Sequence, residues 1–540
     1  VADLILEGGI VYTMDASRSW ATGVSVTDGM IDTVARGEKI PRGPRTEVID
    51  LDGRFVLPGF QDAHVHPPSA GLGLLRCNLH QDEDRRAYAE TIRSYLRDRP
   101  SEEWVLGGGW AMDAFPAGIP TRQELDDLVP DRPAFLVNRD GHGAWVNTMA
   151  LKIAGIDAST PDPADGRIER DVVGEPAGTL QEGAMELVRR VLPPETEETY
   201  LRGLEVAQEY LLSLGVTAWQ DAEVLPQTEK AYATMAARGA LRARVVGALW
   251  WERAEGEEQI ERLVSRRTHG FAGTFRPTSV KMMLDGVFEN FSASMIDPYL
   301  DASGVPGGSR GIDFVDRADL RRYVTLLDAA GFQVHFHAIG DRAVRNALDA
   351  VEAARSANGW NDHRHHISHI QVIHPEDIPR FRRLGVVANG QPFWACMDGY
   401  QSELTIPFLG PERGAGQYPF GSLLRAGAML AFGSDWSVST PNPLLEIETA
   451  VNRVSPESRD TEPFFPAERI GLPDALAAFT TGSAYVNHLE QHTGSIEPGK
   501  LADLVVLDRN PFESAPIGDA QVDLTMIGGE IVFRRSGGTT

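Results

Sequence analysis

Between Leu201 and Phe432 the chain repeats one unit: an amphipathic helix, a glycine and a short apolar strand. Leu201, Leu204 and Leu211 lead to Gly215 and Val216-Thr-Ala-Trp219, and Leu320, Val324 and Leu327 lead to Gly331 and Phe332-Gln-Val334. Ile378, Phe381 and Leu384 lead to Gly385 and Val386-Val387, and Leu423-Leu424 with Gly427 lead to Met429-Leu-Ala-Phe432. Glycine ends helices because it accepts the left-handed conformation, and strands that are apolar throughout need cover on both faces. The repeat therefore predicts a parallel sheet wrapped by helices. Phe55 to Phe60, Ala243 to Leu249, Thr278 to Met283 and His366 to Ile370 bring the strand candidates to eight. Eight such units predict an α/β fold, a (β/α)8 TIM-like barrel, with a doubly wound open sheet as the alternative.

The two ends have a different texture. Leu4 to Leu6, Ile10 to Tyr12, Val24 to Val26 and Ile31 to Val34 are short apolar runs punctuated by Gly8-Gly9 and Asp28-Gly29. Asp503 to Leu507, Thr525 to Ile527 and Ile531 to Phe533, with Gly528-Gly529, repeat the pattern at the other terminus. This is hairpin chemistry, and pairing the two ends avoids open sheet edges. Residues 1–57 and 486–540 are expected to form one small β-sandwich domain, and 58–485 the barrel. The stretch from Phe55 to Asp435 well exceeds the ~250 residues of a typical barrel. An insertion is therefore expected roughly within 67–200, where Pro116 to Pro120 and Pro161 to Gly166 mark surface joints.

Lysine plus arginine is 51 against 77 aspartate plus glutamate, a net charge of −26. That field repels nucleic acid and anionic membrane, so neither is an expected partner. Cys77 and Cys396 are too far apart in sequence to indicate a CxxC metal site or a disulfide framework, which fits a reducing, cytoplasmic compartment. Neither a leader-like h-region near Val1 to Met14 nor an apolar run of ~18 residues is present, and a soluble protein is expected.

Chemistry concentrates at predicted strand ends. In Asp62-Ala-His64-Val-His66-Pro67, residues two apart share a strand face, so both imidazoles point into one cavity as a metal half-site or as a hydrogen-bonded structural pair. His335 and His337 share a face, as do His365 and His369, and spacing alone leaves the ligands among them open. His363, His365 and His366 read as a solvated patch. Asp435 follows an apolar strand, at the active face of a barrel or as a cap of the next helix. Lys281 lies inside the apolar run Val280-Lys-Met-Met-Leu284, where an unpaired ammonium is costly. Reaction with carbon dioxide would turn it into an anionic carbamate ligand.

Taken together, LPGFQDAHVHP, the GGGW at Gly107 to Trp110, the DGHGAWVN at Asp140 to Asn147, KMMLDG, HAIGD, GSD and the PGKLADLVVLD at Pro498 to Asp508 resemble the amidohydrolase superfamily over nearly the whole chain. The resemblance is closest to the branch of N-substituted formamide deformylases and YtcJ-like proteins. It implies His64 and His66 as ligands of one divalent metal, most simply zinc, and His337 and His369 as ligands of a second. A carboxylated Lys281 would bridge them, and Asp435 would be ligand and acid/base. Two departures stand out: Ile-Ser-His369-Ile-Gln where the branch has a sequence like IEHAQ, and Trp436 where proline usually follows GSD. His335, where an apolar residue is usual, is read as supporting the ligands.

The implied activity is cleavage of a C–N bond in a linear amide or N-substituted formamide by metal-activated hydroxide. The same site acting on a cyclic amide, carbamate, ester or phosphotriester is the alternative, and a non-catalytic metal-binding regulator is a third reading. His142, on its Gly-flanked loop, either polarises the carbonyl or satisfies loop backbone. Trp110, Phe115, Trp145, Trp394 and Trp436 are candidates to line a substrate pocket, and Arg139 and Arg310 are candidate carboxylate clamps. A small-molecule amide is the expected partner, and a homodimer is compatible with this reading.

Overall fold

The computed structural model describes residues 2–513 and 516–536; Val1, 514–515 and 537–540 of the expected terminal segments lie outside them. Eight parallel strands form the central sheet: β1 (Phe60–Val65), β2 (Val216–Val224), β3 (Arg244–Trp250), β4 (Phe275–Met283), β5 (Gln333–Ala338), β6 (His366–His369), β7 (Val387–Gly390) and β8 (Leu430–Phe432). Hydrogen-bonded neighbours run in chain order from β1 to β8. The chain is a (β/α)8 TIM barrel.

Alternation assigns the two faces of the wall. Val280, Met282, Val334, Phe336, Ala338 and Ile367 join the large apolar cluster formed with the surrounding helices. The residues between them meet across the lumen, where Gln220 on β2 bonds Gln333 on β5, and Lys281 on β4 reaches His64 on β1. The lumen is therefore lined with amides and imidazoles instead of aliphatic layers. Its floor is sealed by the segment around Val486 to Thr493, through Asn487 to Gln220 and Thr493 to Gln61.

The first and last members of the barrel close without a strand ladder of their own. Beyond the strand ends, the Asp435 amide donates to the His64 carbonyl at 2.7 Å and the His66 amide to the Trp436 carbonyl at 3.1 Å. Asp62 joins the same seam, accepting from the His64 amide (3.0 Å), the Ser434 amide (3.1 Å) and Ser434 Oγ (2.6 Å). A Cβ at Gly433 would lie 2.3 Å from the His64 nitrogen, so this approach requires glycine.

The expected first barrel strand, Phe55 to Phe60, is divided. Phe55–Pro58 belongs to the terminal sheet, where it pairs antiparallel with Leu504–Leu507 and parallel with Ile10–Val11. The barrel strand begins at Phe60, and Gly59 between them has no room for a Cβ beside Thr217, 2.4 Å away. The terminal sheet has eight strands from both ends of the chain, and Leu4, Val24, Val56, Leu504, Val506 and Met526 share one apolar cluster. It is tied to the barrel where Arg244 makes two bonds to Asp503, at 2.7 and 2.9 Å. Between β1 and β2 a six-stranded sheet runs from Cys77–Asn78 through Val105–Trp110, Ala134–Asn138, Gly143–Val146 and Pro176–Glu182 to Gly166–Arg170. It brings His142 and Glu182 to the barrel mouth, with the His142 ring 5.3 Å from that of His337. No helix among the described residues is long and apolar enough to cross a membrane.

Candidate metal centre and active site

The seam positions the charged groups. His64 is near the end of β1, and His66 caps the helix Pro67–Leu75, whose first residues are prolines. Asp435 and His369 have positive φ, 53° and 76°, a conformation that residues other than glycine rarely adopt. The turn at His369 is held by its amide, which donates to Gln391 Oε1 at 2.9 Å.

Ligand atoms of His64, His369 and Asp435 lie within 4.8 Å of one another, and all three residues are buried. Asp435 Oδ1 is 2.9 Å from His66 Nε2 and 3.2 Å from His64 Nε2, and Lys281 Nζ is 3.3 Å from His64 Nε2. His337 stands beside His369, ring centroids 4.4 Å apart, but its Nε2 faces the Gly286 carbonyl at 3.4 Å. Five of the six expected ligands thus converge through their polar atoms, and His337 converges through its ring.

Burial opposes the charge of Asp435, yet the facing imidazoles of His64, His66 and His369 hold its carboxyl well below the usual range. Burial pushes His64 down to about 3, so its imidazole is neutral, and pushes Lys281 down to about 8. Nδ1 of His66 and Nδ1 of His369 are buried with no hydrogen-bond partner among the described residues. The orphaned His369 Nδ1, 3.9 Å from Asp435 Oδ2, together with Nε2 of His64 and of His66 around that anionic carboxylate is the donor set of a divalent transition ion, and the residues fit such a cation.

The amidohydrolase family model matches residues 47–533. The chain belongs to the amidohydrolase family. Within it, the chain is 32% identical to the protein LONG AFTER FAR-RED 3 of Arabidopsis thaliana, over 99% of this chain and 92% of that one. It is 28% identical to the N-substituted formamide deformylase of Arthrobacter pascens, over 99% of each. A crystal structure of an uncharacterized metal-dependent hydrolase from Pyrococcus furiosus superposes with a TM-score of 0.72 at 27% identity, covering 94% of this chain and 99% of that one. This amidohydrolase falls in the YtcJ-like and formamide deformylase branch, and it is an enzyme that hydrolyses carbon–nitrogen bonds.

Other expectations take different places in this amidohydrolase. Trp110, Phe115 and Trp145 pack together in the insertion's own core, the indole N–H groups of the two tryptophans donating to the Leu136 and Thr121 carbonyls. Their large apolar area is spent on stabilising the insertion. Trp394 does reach the centre, stacked on His369 at 5.4 Å and 14°. Trp436 is buried in the barrel cluster and packs edge-on against Tyr210. Arg139 donates from Nη2 to the carbonyls of His80 and Asp82, and Arg310 bonds the Ile296 carbonyl. His365 and His366 are fully buried and not a solvated patch: His365 pairs with Asp328 at 2.9 Å, and His366 faces the lumen against Gln220.

Three residues that spacing did not mark complete the site. Glu182 accepts from His142 Nδ1 (2.9 Å), Asn290 Nδ2 (2.9 Å) and Ser292 Oγ (2.6 Å), on a backbone with φ 52°. Burial opposes a charge on His142, but Glu182, with Asp140 and Asp435 behind it, raises that imidazole to about 9. Asp285 accepts the amides of Ile339, Gly340 and Ser294 at 3.0, 2.9 and 2.8 Å, which links the KMMLDG and HAIGD motifs physically and fixes the loop that follows His337. Ser368, two residues after His366 on β6, touches both His64 and His335.

Proposed function

We propose that this amidohydrolase cleaves the C–N bond of a linear amide, in the first instance an N-substituted formamide. The observation that carries the reading is Asp435, an anionic carboxylate 2.9 Å from His66 and 3.2 Å from His64 at the mouth of the barrel. End-to-end similarity to an N-substituted formamide deformylase supports the choice of acyl group. His64, His66, His369 and Asp435 would hold a divalent cation, zinc by the nature of the donors, and a carbamate formed on Lys281 together with His337 would extend the set to a second. When bound, such a cation polarises a carbonyl and acidifies a water molecule.

The protein's own groups then do the following. Asp435 takes the proton of the attacking water as the new C–O bond forms at the carbonyl carbon. When the tetrahedral carbon collapses and the C–N bond breaks, Asp435 returns that proton to the nitrogen, because an amide anion is a poor leaving group. Glu182 fixes Nδ1 of His142, which leaves Nε2 as the nitrogen that faces the substrate and donates to the carbonyl oxygen. Trp394 supplies an apolar wall beside His369.

The test is a panel of N-formyl, N-acyl, carbamate, cyclic amide and ester compounds assayed on protein of measured metal content, with products identified. Formate and free amine released from the N-formyl compounds, lost with a chelator and restored by a divalent ion, is the expected result. Inert formamides alongside turnover of another bond type would overturn the substrate assignment. Retention of full activity without any divalent ion would overturn the mechanism.

A further inference from the structure

We infer that Gln220 and Gln333, buried in the barrel lumen, fix the proton of His64 on Nδ1 through His335, and so keep its Nε2 lone pair turned toward the metal position. The inference rests on His64 being a ligand, as proposed above. The chain of bonds starts at groups whose role is not adjustable. Gln333 sends one polar atom to the carbonyls of Arg364 (2.9 Å) and Val486 (2.7 Å), and carbonyls only accept, so that atom is Nε2. Its Oε1 therefore faces Gln220 at 3.1 Å, and Gln220 must present Nε2 there and Oε1 to the other side.

A second chain reaches the same assignment independently. Asn389 Nδ2 faces the Ala63 carbonyl at 2.9 Å and also donates to His366 Nδ1 at 3.1 Å. His366 then carries its proton on Nε2, which lies 2.9 Å from Gln220 Oε1. Both chains make Oε1 of Gln220 the acceptor, and the other neighbour of that oxygen, His335 Nδ1 at 2.6 Å, must be the donor.

With its proton on Nδ1, His335 offers only a lone pair on Nε2. That nitrogen lies 2.9 Å from His64 Nδ1 and 2.7 Å from Ser368 Oγ, which itself lies 2.8 Å from His64 Nδ1. A bare His64 Nδ1 would set two lone pairs against each other at 2.9 Å, and the single hydroxyl proton of Ser368 cannot serve both nitrogens. The pattern closes only with His64 protonated on Nδ1; its Nε2 then accepts from the Lys281 ammonium at 3.3 Å, and the carboxylate of Asp435 accepts from His66 Nε2 at 2.9 Å instead of from His64. A second proton on His335 is no way out, because its polar partners among the described residues are Gln220, His64 and Ser368, none of them a carboxylate, and an unpaired charge would be buried. Gln220 and Gln333 are thus positioning residues, acting at two removes from the centre.

The experiment uses full-length protein labelled with 15N-histidine. Long-range 15N–1H correlation on chelator-stripped wild type reads the imidazole tautomers, with His64→Asn and His335→Asn identifying the two signals. Both rings are expected as Nδ1–H, and an Nε2–H form at either overturns the inference without any variant in the lumen. Gln220→Met removes the acceptor, so His335 should become a mixture of tautomers and cobalt(II) affinity, by chelator competition, should fall ~10–100-fold, the range seen when the outer partner of a ligand is lost. Asn487→Ala removes a partner of Gln220 Nε2 but leaves the Gln333 anchor, and should keep the tautomers and hold affinity within about threefold. A folded Gln220→Met protein with unchanged tautomers and affinity, or equal losses in both variants, overturns the proposal. Failure of wild type to bind cobalt(II) would overturn His64 as a ligand, while the spectrum still decides the proton chain.

Discussion

Glu182→Gln isolates what the insertion contributes to the barrel. The substitution keeps the volume of the side chain and an acceptor for Asn290 or Ser292 but removes the charge facing His142 Nδ1 at 2.9 Å. His142 stands at about 9 instead of 6.5, which at ~1.36 kcal/mol per pKa unit corresponds to about 3 kcal/mol favouring the imidazolium. That figure is an upper bound, because a cation bound beside His337 opposes the same charge. Without the carboxylate, burial is the largest influence left and lowers the His142 imidazole, opposed only by Asp140 and Asp435. If the imidazolium donates to the carbonyl oxygen, kcat at pH 8 should fall between ~10-fold and ~100-fold, with KM changed much less, since the bond strengthens as charge develops. The descending alkaline limb of kcat should move from near 9 toward neutral pH or below. The assay is kcat and KM from pH 5.5 to 10 on wild type and variant carrying equal metal. An alkaline limb that stays near 9, or a kcat changed less than threefold at pH 8, would refute the role given to this pair.

Three further outcomes are expected. Asp435→Asn should lower kcat by ~10²–10⁴, with metal content measured in parallel; turnover that survives with metal still bound removes Asp435 as the proton carrier. Glu289 is raised from 4.5 to about 7, chiefly by burial and then by Asp140 and Asp398, so the folded protein binds more protons than the unfolded chain between those values and loses stability as pH rises through that window. Glu289→Gln, which keeps an acceptor for Thr405 Oγ1, should match wild type near pH 4.5 and exceed it in thermal stability above pH 7, by up to about 3 kcal/mol; parallel pH curves for the two metal-free proteins would contradict this. Asp503→Ala breaks both bonds to Arg244 and one to the Gly528 amide, and should cost about 3 kcal/mol, the low end for a broken buried pair because Arg244 keeps some solvent access; an unchanged apparent Tm would show that the terminal sheet does not support the barrel there.

The barrel was legible because its signal is long-range and periodic: helix, glycine, apolar strand, repeated along the chain. The pairing of the two termini was legible from texture, since hairpin glycines at both ends leave edges that need partners. The break at Gly59 was not, because one apolar run, Phe55 to Phe60, serves two sheets and only a contact with Thr217 separates them. His64, His66 and Asp435 stood out by their position at strand ends. His365 and His366 were misread, since adjacent polar residues look like a solvated surface unless the lumen is known to be polar. Glu182 left no trace, because what places it is a positive φ and a sheet formed by the insertion, neither of which has a spacing rule.

The placement of the centre at the β1–β8 seam has a physical reason. A barrel needs strong bonds where its first and last strands meet, and here they come from the segments that carry His64, His66 and Asp435. The positive φ at Asp435 costs roughly 1–3 kcal/mol. Two backbone bonds across the seam and three to the buried carboxylate of Asp62 offset that cost. The strained turn at Asp435 therefore persists only while the barrel is closed, and the closed barrel sets Asp435 against His64 and His66. Closure and assembly of the site are one event, so a variant that loosens the seam should disperse the ligands before it unfolds the wall.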